Sequence, residues 1–341
     1  MKRLMIILLS ILSLTSCDLT LYDRTYIVGD DAFRKDKVIL TREEMNDSTV
    51  IRFPVITDVH CGRELFDNGV ERNYESLRLY LEDMARAGDV TPLFMLGDIL
   101  DKEDRNAIEE TKQFFMDVHE ANPDMEIVYT CGNHELEDCM VEDWEARFEQ
   151  LSHDELNEKL NLTGSYVVGE PENPELMIYN VNSAYRMYGR HQLSMLEDAL
   201  SANMDRNGGL KLITTHIPLS ASKVSQTLFN FVIGDERERH AMQRLMHEYG
   251  PSFMLSGHHH KGDTFNPYSG HSAEFIFSAF HKKGEFLESQ GRWYIFQIDV
   301  DSRECNIWGF SIWDENLEPY GRSDDELTSM AAEHYTYTLG K

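Results

Sequence analysis

A chain of 341 residues with 41% apolar and 27% charged side chains has the balance of one large globular domain or two modest ones, which excludes disorder over most of its length. Sixty acidic residues against 32 basic ones give a formal net charge of −28, a surface that repels nucleic acid and anionic membranes and argues against a DNA- or RNA-binding role. The same charge would repel an anionic substrate unless bound divalent cations reversed the local sign.

Lys2 and Arg3 make a basic start, and residues 4–12 form an apolar run broken only by Ser10. Such a run behind two cations reads as an export signal, too short to span a bilayer. Leu14-Thr15-Ser16-Cys17 follows and resembles a bacterial lipobox. That resemblance implies removal of residues 1–16 and a lipid on Cys17 as the membrane contact. The chain is then expected to be exported and lipid-anchored in the cell envelope, periplasmic or surface-facing; a plain signal peptide with an incidental Cys17 is the alternative. The other cysteines, Cys61, Cys131, Cys139 and Cys305, are too few for a disulfide scaffold and match no zinc-finger spacing, and one bridge among them is left open.

Residues 17–50 are mostly polar, with weak apolar patches at 26–28 and 38–40, and read as a tether that ends in a strand. From residue 51 to 341 a single domain is expected. Branched apolar runs at 51–57, 92–96 and 126–130 read as strands. Between them lie helical patterns over 73–87, where Leu77, Tyr80, Leu81 and Met84 recur at helical spacing, and over 106–120. Further strands are predicted at 176–181, 210–214 and 251–255, with helices near 191–200 and 236–249. The tail at 275–277, 293–300 and 305–313 reads as strands, with Asp301-Ser302 as a turn. Alternating strands and helices indicate an α/β architecture.

Five of these strands end in clusters of Asp, Asn or His: Asp58-Val59-His60, Gly97-Asp98-Ile99-Leu100-Asp101, Gly132-Asn133-His134-Glu135, His216, and Gly257-His258-His259-His260. Side chains at the carboxyl ends of neighbouring strands converge on one crevice. Carboxylate, imidazole and amide oxygen suit divalent metals of the hard-to-borderline kind, and the set holds no thiolate. Asp-x-His and His-x-His place two side chains on one side if the segments are extended. The glycines before Asp98, Asn133 and His258 permit tight turns and close backbone approach. Taken singly, such residues are ordinary turn chemistry; turn chemistry does not account for the histidines.

In this order the blocks resemble the calcineurin-like metallophosphoesterases, whose pattern is D-x-H, GDxxD, GNH[D/E], a lone H and GHxH, over roughly residues 51–300. The resemblance implies a four-layer α/β/β/α sandwich with a dinuclear metal site at the carboxyl ends of strands, the final strands completing the second sheet. It implies that Asp58, His60 and His260 bind one metal, that Asn133, His216 and His258 bind the other, and that Asp98 bridges them. The two ions would be manganese, iron or zinc, and a hydroxide between them would attack a phosphate ester. His134 would protonate or stabilise the leaving oxygen, and Asp101 would orient His134 by hydrogen bond.

His259, between two ligands, is expected to point away. His119, His153, His191, His240, His247, His271, His281 and His334 read as surface or packing residues. Arg63, Lys102 and Lys261 stand beside the blocks and are candidates for substrate phosphate or simply exposed cations. The second block lacks the arginine and glycine of GDxVDRG, which argues against a protein phosphatase. Asp101 stands where purple acid phosphatases carry a metal-binding tyrosine, and the chain has no room for the large carboxy-terminal domain of secreted 5′-nucleotidases. A phosphodiesterase or phosphomonoesterase remains, and a binding or scaffolding lipoprotein that kept the fold without the chemistry is the rival reading.

Overall fold

The structure, a computed structural model, describes residues 31–62, 74–101, 105–136, 151, 156, 158–203, 210–220, 232–250, 252–260, 264–269, 271–281, 291–314 and 317–339. The export signal, Cys17, Arg63, Lys102, Lys261, Cys139 and His153 lie outside the described residues. In chain order the first elements are β1 (Asp36–Leu40), β2 (Val50–Ile56), α1 (Glu75–Ala87), β3 (Leu93–Met95), α2 (Arg105–Ala121), β4 (Ile127–Tyr129) and the short α3 (Asn133–Leu136). Then come β5 (Leu160–Asn161), β6 (Gly164–Glu170), β7 (Asn173–Asn180), α4 (Arg190–Ala202), β8 (Lys211–Thr214), α5 (Glu236–Glu248) and β9 (Ser252–Ser256). The last are β10 (Thr264–Ser269), β11 (Ser272–Ile276), β12 (Arg292–Asp299), β13 (Glu304–Ser311), α6 (Asp324–Met330) and β14 (Glu333–Thr338).

The strands form two sheets. One runs β14-β13-β12-β2-β3-β4-β5 and the other β1-β6-β7-β8-β9-β11-β10. Strands β2 to β5 are mutually parallel, as are β7, β8, β9 and β11, so each sheet has a parallel centre. Parallel strands covered on both faces need apolar side chains on both, which is why these segments read as unbroken apolar runs. The faces still alternate. Phe53, Val55, Phe94 and Leu96 turn toward the other sheet, while Ile56, Leu93 and Met95 turn outward.

Between the sheets Phe53, Phe94, Phe253, Phe275 and Phe296 are buried, with the rings of Phe53 and Phe94 4.8 Å apart. Leu77 and Leu81 of α1, Phe115 of α2 and Leu327 of α6 cover the outer face of the first sheet together with Trp293 and Trp308. Leu196 and Leu200 of α4 and Met242 and Leu245 of α5 cover the outer face of the second. The result is the four-layer α/β/β/α sandwich.

Three features differ from the sequence reading. Of the tail strands, the one read at 275–277 joins the second sheet as β11, but the later ones do not: β12 pairs antiparallel with the open edge of β2, Tyr294 opposite Val55, and draws β13 and β14 into the first sheet. The strand expected at the end of the tether forms as β1, but it and the residues around it are built into the sandwich. There β1 pairs in parallel with β6, and Phe33, Ile39, Leu40 and Met45 are buried. Helix α6 was not foreseen, although Ser323 and Glu326 form its capping box. Among the described residues the thiols of Cys61, Cys131 and Cys305 are buried, and no helix is long and apolar enough to cross a membrane.

Lys211, in β8, is 1% exposed. Burial, with the charge of Arg303 added, pushes its ammonium down to about 8. An unfolded chain keeps that proton to about pH 10.4, so between these values unfolding takes up a proton and stability rises with pH. Lys211→Met should therefore be more stable than the parent at pH 7, with the gap closing toward pH 10. Urea midpoints of both proteins across that range check this, and parallel curves would mean that Lys211 stays charged in the fold.

Candidate metal centre

The carboxyl ends of β2, β3 and β4 in one sheet and of β8, β9 and β11 in the other meet at one edge of the sandwich. Main-chain hydrogen bonds continue past the strands and lock the turns together: Asp58 N–H donates to Gly97 O at 2.9 Å, His60 N–H to Asp98 O at 2.9 Å, and Asp101 N–H to Cys61 O at 2.9 Å. Across the two sheets Phe280 N–H donates to Thr57 O at 2.9 Å. Two glycines are dictated by these approaches. A Cβ on Gly132 would fall 2.2 Å from Asp98 N, and one on Gly257 would fall 1.9 Å from Thr57 Oγ1.

Asp58, His60, Asp98, His258 and His260 have φ values of 55°, 52°, 52°, 70° and 53°. The left-handed region costs a residue with a Cβ on the order of 1–2 kcal/mol, and such strain collects where a site over-determines the backbone. The paired residues therefore converge through left-handed turns, not through the alternation of an extended segment.

The structure brings Asp58, His60, Asp98, His216, His258 and His260 together in a buried cluster. Ligand atoms of Asp58, His60, Asp98 and His260 lie within 4.8 Å of one another, as do those of Asp98, His216 and His258, and Asp98 belongs to both groups. His260 Nε2 is 2.9 Å from Asp58 Oδ1, His216 Nε2 is 3.0 Å from Asp98 Oδ2, and His60 Nε2 is 3.1 Å from His260 Nε2. Each carboxylate has one oxygen held by the protein. Asp58 Oδ2 accepts from Thr57 Oγ1 at 2.7 Å and from His258 N–H at 2.9 Å, and Asp98 Oδ1 accepts from His134 N–H at 2.9 Å. The opposite oxygens, Asp58 Oδ1 and Asp98 Oδ2, are buried without a hydrogen bond, as are Asn133 Oδ1 and His216 Nε2. Buried polar atoms are otherwise almost always hydrogen-bonded, so donor atoms left in this way fit metal ions.

The electrostatics follow from the crowding. Burial alone would raise the Asp58 carboxyl, but His260, His60 and His216 hold it well below the usual range. Burial likewise works against the charge on Asp98, and His216, His134 and His60 overcome it and lower its pKa. His216 is disfavoured as a cation by burial, yet Asp98 and Asp58 push it up to about 10. His258 is held well below its ordinary value by burial and by His216, and burial also lowers His260.

A second layer orients these groups. His216 Nδ1–H donates to Leu96 O at 2.6 Å, and His60 Nδ1 lies 2.8 Å from Asp101 Oδ1. His134 Nδ1–H donates to the main-chain carbonyl of Asp101 at 2.6 Å. The expected link between Asp101 and His134 thus runs through the backbone, while the Asp101 carboxylate pairs with His60. Glu135 is fully buried. Its carboxylate accepts from the N–H groups of Asp98, Ile99, Leu100 and Gly132 at 3.1, 2.7, 3.1 and 2.8 Å, and from Tyr129 OH at 3.0 Å. Burial, then the charge of Asp98, raises its pKa. Gln192, at the start of α4, clasps the turn after β7, accepting from Asn182 N–H at 2.9 Å and donating to Asn182 O at 2.7 Å.

Sequence reasoning missed one residue here. His281, read as a surface or packing side chain, is 2% exposed and sits against the cluster, its Nδ1–H donating to Asp58 O at 2.7 Å. The signal was present: it follows the end of a predicted strand, as the other clusters do.

Residues 51–262 match the family model for calcineurin-like phosphoesterases. Among solved structures, a purple acid phosphatase from yellow lupin (Lupinus luteus) seeds is similar with a TM-score of 0.53 and 12% identity, covering 85% of this chain and 54% of that one. A 5′-nucleotidase from Candida albicans matches with a TM-score of 0.43 and 12% identity over 86% of this chain and 57% of its own. Vacuolar Protein Sorting 29 from Cryptosporidium parvum matches with a TM-score of 0.36 and 9% identity over 79% of this chain and 95% of its own. The chain spans just over half the length of the first two, and at this identity the likeness concerns the fold alone. No curated protein matches the chain in sequence. The match to the family model covers well over half of the sequence, and the chain belongs to the calcineurin-like phosphoesterases, a family of metal-dependent hydrolases of phosphate esters.

Proposed function

We propose that the chain hydrolyses a phosphodiester or phosphomonoester in the cell envelope, with two metal ions held by the strand-end cluster. Asp58, His60 and His260 hold one ion, Asn133, His216 and His258 hold the other, and Asp98 is shared. The observation that carries this reading is the position of Asp98, whose buried Oδ2 has no hydrogen bond and whose carboxylate belongs to both groups of donors. Manganese, iron and zinc all suit such nitrogen and oxygen donors. When bound, a metal pair supplies positive charge at the phosphoryl group and makes water acidic enough to act as a nucleophile.

The chain's own groups do the rest. His134 is 21% exposed, with Nε2 3.9 Å from Asp98 Oδ2, so it stands at the edge of the cluster rather than within it. Its Nδ1–H is committed to the Asp101 carbonyl, which fixes the ring, so that in the imidazolium form the proton on Nε2 is the one passed to the leaving oxygen. The Asp101 carboxylate holds His60 in the same manner, so that His60 Nε2 turns inward. The acidic surface makes the cluster dependent on its ions for anion binding, and the family pattern supports an ester of phosphate as the substrate. The lipobox-like run ending at Cys17 supports export and a lipid anchor.

The decisive assay is hydrolysis of bis-p-nitrophenyl phosphate and p-nitrophenyl phosphate by the chain from residue 18, after chelation and again with manganese or zinc restored. Turnover should vanish with the chelator and return with the metal, and the ratio of the two rates separates diesterase from monoesterase. A chain that binds two ions and turns over neither ester would favour the binding-protein reading. His134→Ala should lower the rate by roughly 10²–10⁴-fold with both ions retained, whereas Asp98→Ala should lose ions and rate together; metal content measured beside the rate tells these apart. For the anchor, Cys17→Ser should move the protein from the detergent phase to the aqueous phase in Triton X-114 partitioning. An unchanged partition would refute the lipid on Cys17.

A further inference from the structure

The two halves of the proposed metal centre are supported differently. In the half around Asp98 the outer nitrogen of His216 is held by a main-chain carbonyl, Leu96 O, at 2.6 Å. In the half around Asp58 a further imidazole intervenes. His281, in the segment that follows β11, is reached from the sheet opposite to the one that carries Asp58. Its Nδ1–H donates to Asp58 O at 2.7 Å, and its ring stands edge-on to His60 at 4.8 Å and to His260 at 5.2 Å between centroids. His60 and His260 are themselves 4.8 Å apart, so the three rings form a closed triangle. Asp58 is in the left-handed region, with φ of 55°. Its N–H is tied to Gly97 O at 2.9 Å, and the bond from His281 ties its carbonyl, so the peptide units on both sides of the strained residue are fixed.

We propose that His281 is the positioning residue of the first metal pocket. It pins the left-handed turn at Asp58 and wedges the rings of His60 and His260 at the angle in which their Nε2 atoms meet, without itself supplying a ligand atom. This rests on the reading of Asp58, His60 and His260 as one metal's donors, and it adds an asymmetry that the ligand set does not contain. The first pocket depends on the segment after β11 reaching across from the second sheet, and the second pocket does not. Outer partners that orient metal ligands commonly govern affinity by 10–100-fold.

The test uses three proteins: the parent, His281→Phe, which keeps a ring and loses the donor, and His281→Asn, which keeps a donor at the δ position and loses the ring. Manganese and zinc binding is read by calorimetry and by metal content after gel filtration, with thermal unfolding in chelator as a check on the metal-free fold. His281→Phe should bind one ion with parental affinity and the other 10–100-fold more weakly, and His281→Asn should recover much of the loss. Two ions at parental affinity in the Phe variant, equal weakening of both ions, or no recovery in the Asn variant would each overturn the proposal. If the Phe variant does not fold, His281→Gln, whose amide reaches past the δ position, takes its place against Asn with the same readings. A parent that binds no metal would sink the metal-centre reading itself, a result distinct from a parent with two ions and variants that match it.

Discussion

Two carboxylates buried side by side dictate the rest of this site. Asp58 and Asp98 are 0% and 1% exposed, and an ionised carboxylate without water needs partners on every lone pair. The chain meets half of that need itself: N–H groups of His258 and His134 and the hydroxyl of Thr57 take one oxygen of each. The other half is turned toward imidazoles, three of them reaching over from the opposite sheet. The close passes at Gly132 and Gly257 and the left-handed turns at the ligand residues are what it takes to bring so many short polar side chains to one point.

A third buried carboxylate makes this arrangement rigid. Glu135 gathers four main-chain N–H groups from the turns after β3 and β4, so the backbone that carries Asp98 is bound to the backbone that carries Asn133. The fourth letter of the GNHE block is thus a structural brace, placed behind the ligands, and its acidity is spent on amides rather than on substrate. Because burial and Asp98 both disfavour its charge, the brace and the ligand it supports are electrostatically opposed and held together by geometry.

Much of this was legible in the sequence, and the limits are physical. The strands of the parallel centres were readable because they are apolar on both faces, and the five blocks because Asp, Asn and His end successive strands. What could not be read is backbone conformation: nothing in Asp58-Val59-His60 announces a left-handed turn, since Asp and His adopt it only where tertiary bonds insist. The pairing of Asp101 with His60 depends on the same turns. His281 was passed over because a lone histidine after a strand in the tail carries no motif, and its importance lies in β11 being parallel to β9, a fact of sheet order. Sheet order also misplaced the last strands, for β12 chooses its neighbour by an open edge and not by its own composition. Helix α6 differs in kind, since its capping box was in plain view.

The proposed donors are divided between the sheets. Asp58, His60, Asp98 and Asn133 belong to one, and His216, His258 and His260 to the other, so neither sheet alone carries a complete set for either ion. An ion bound there rivets the two layers and has no counterpart in the unfolded chain. By mass action, a free ion concentration a hundred times its dissociation constant would then weight the folded state by about 2.7 kcal/mol. On the proposed assignment the free metal concentration around the protein would set the stability of the sandwich as well as its chemistry.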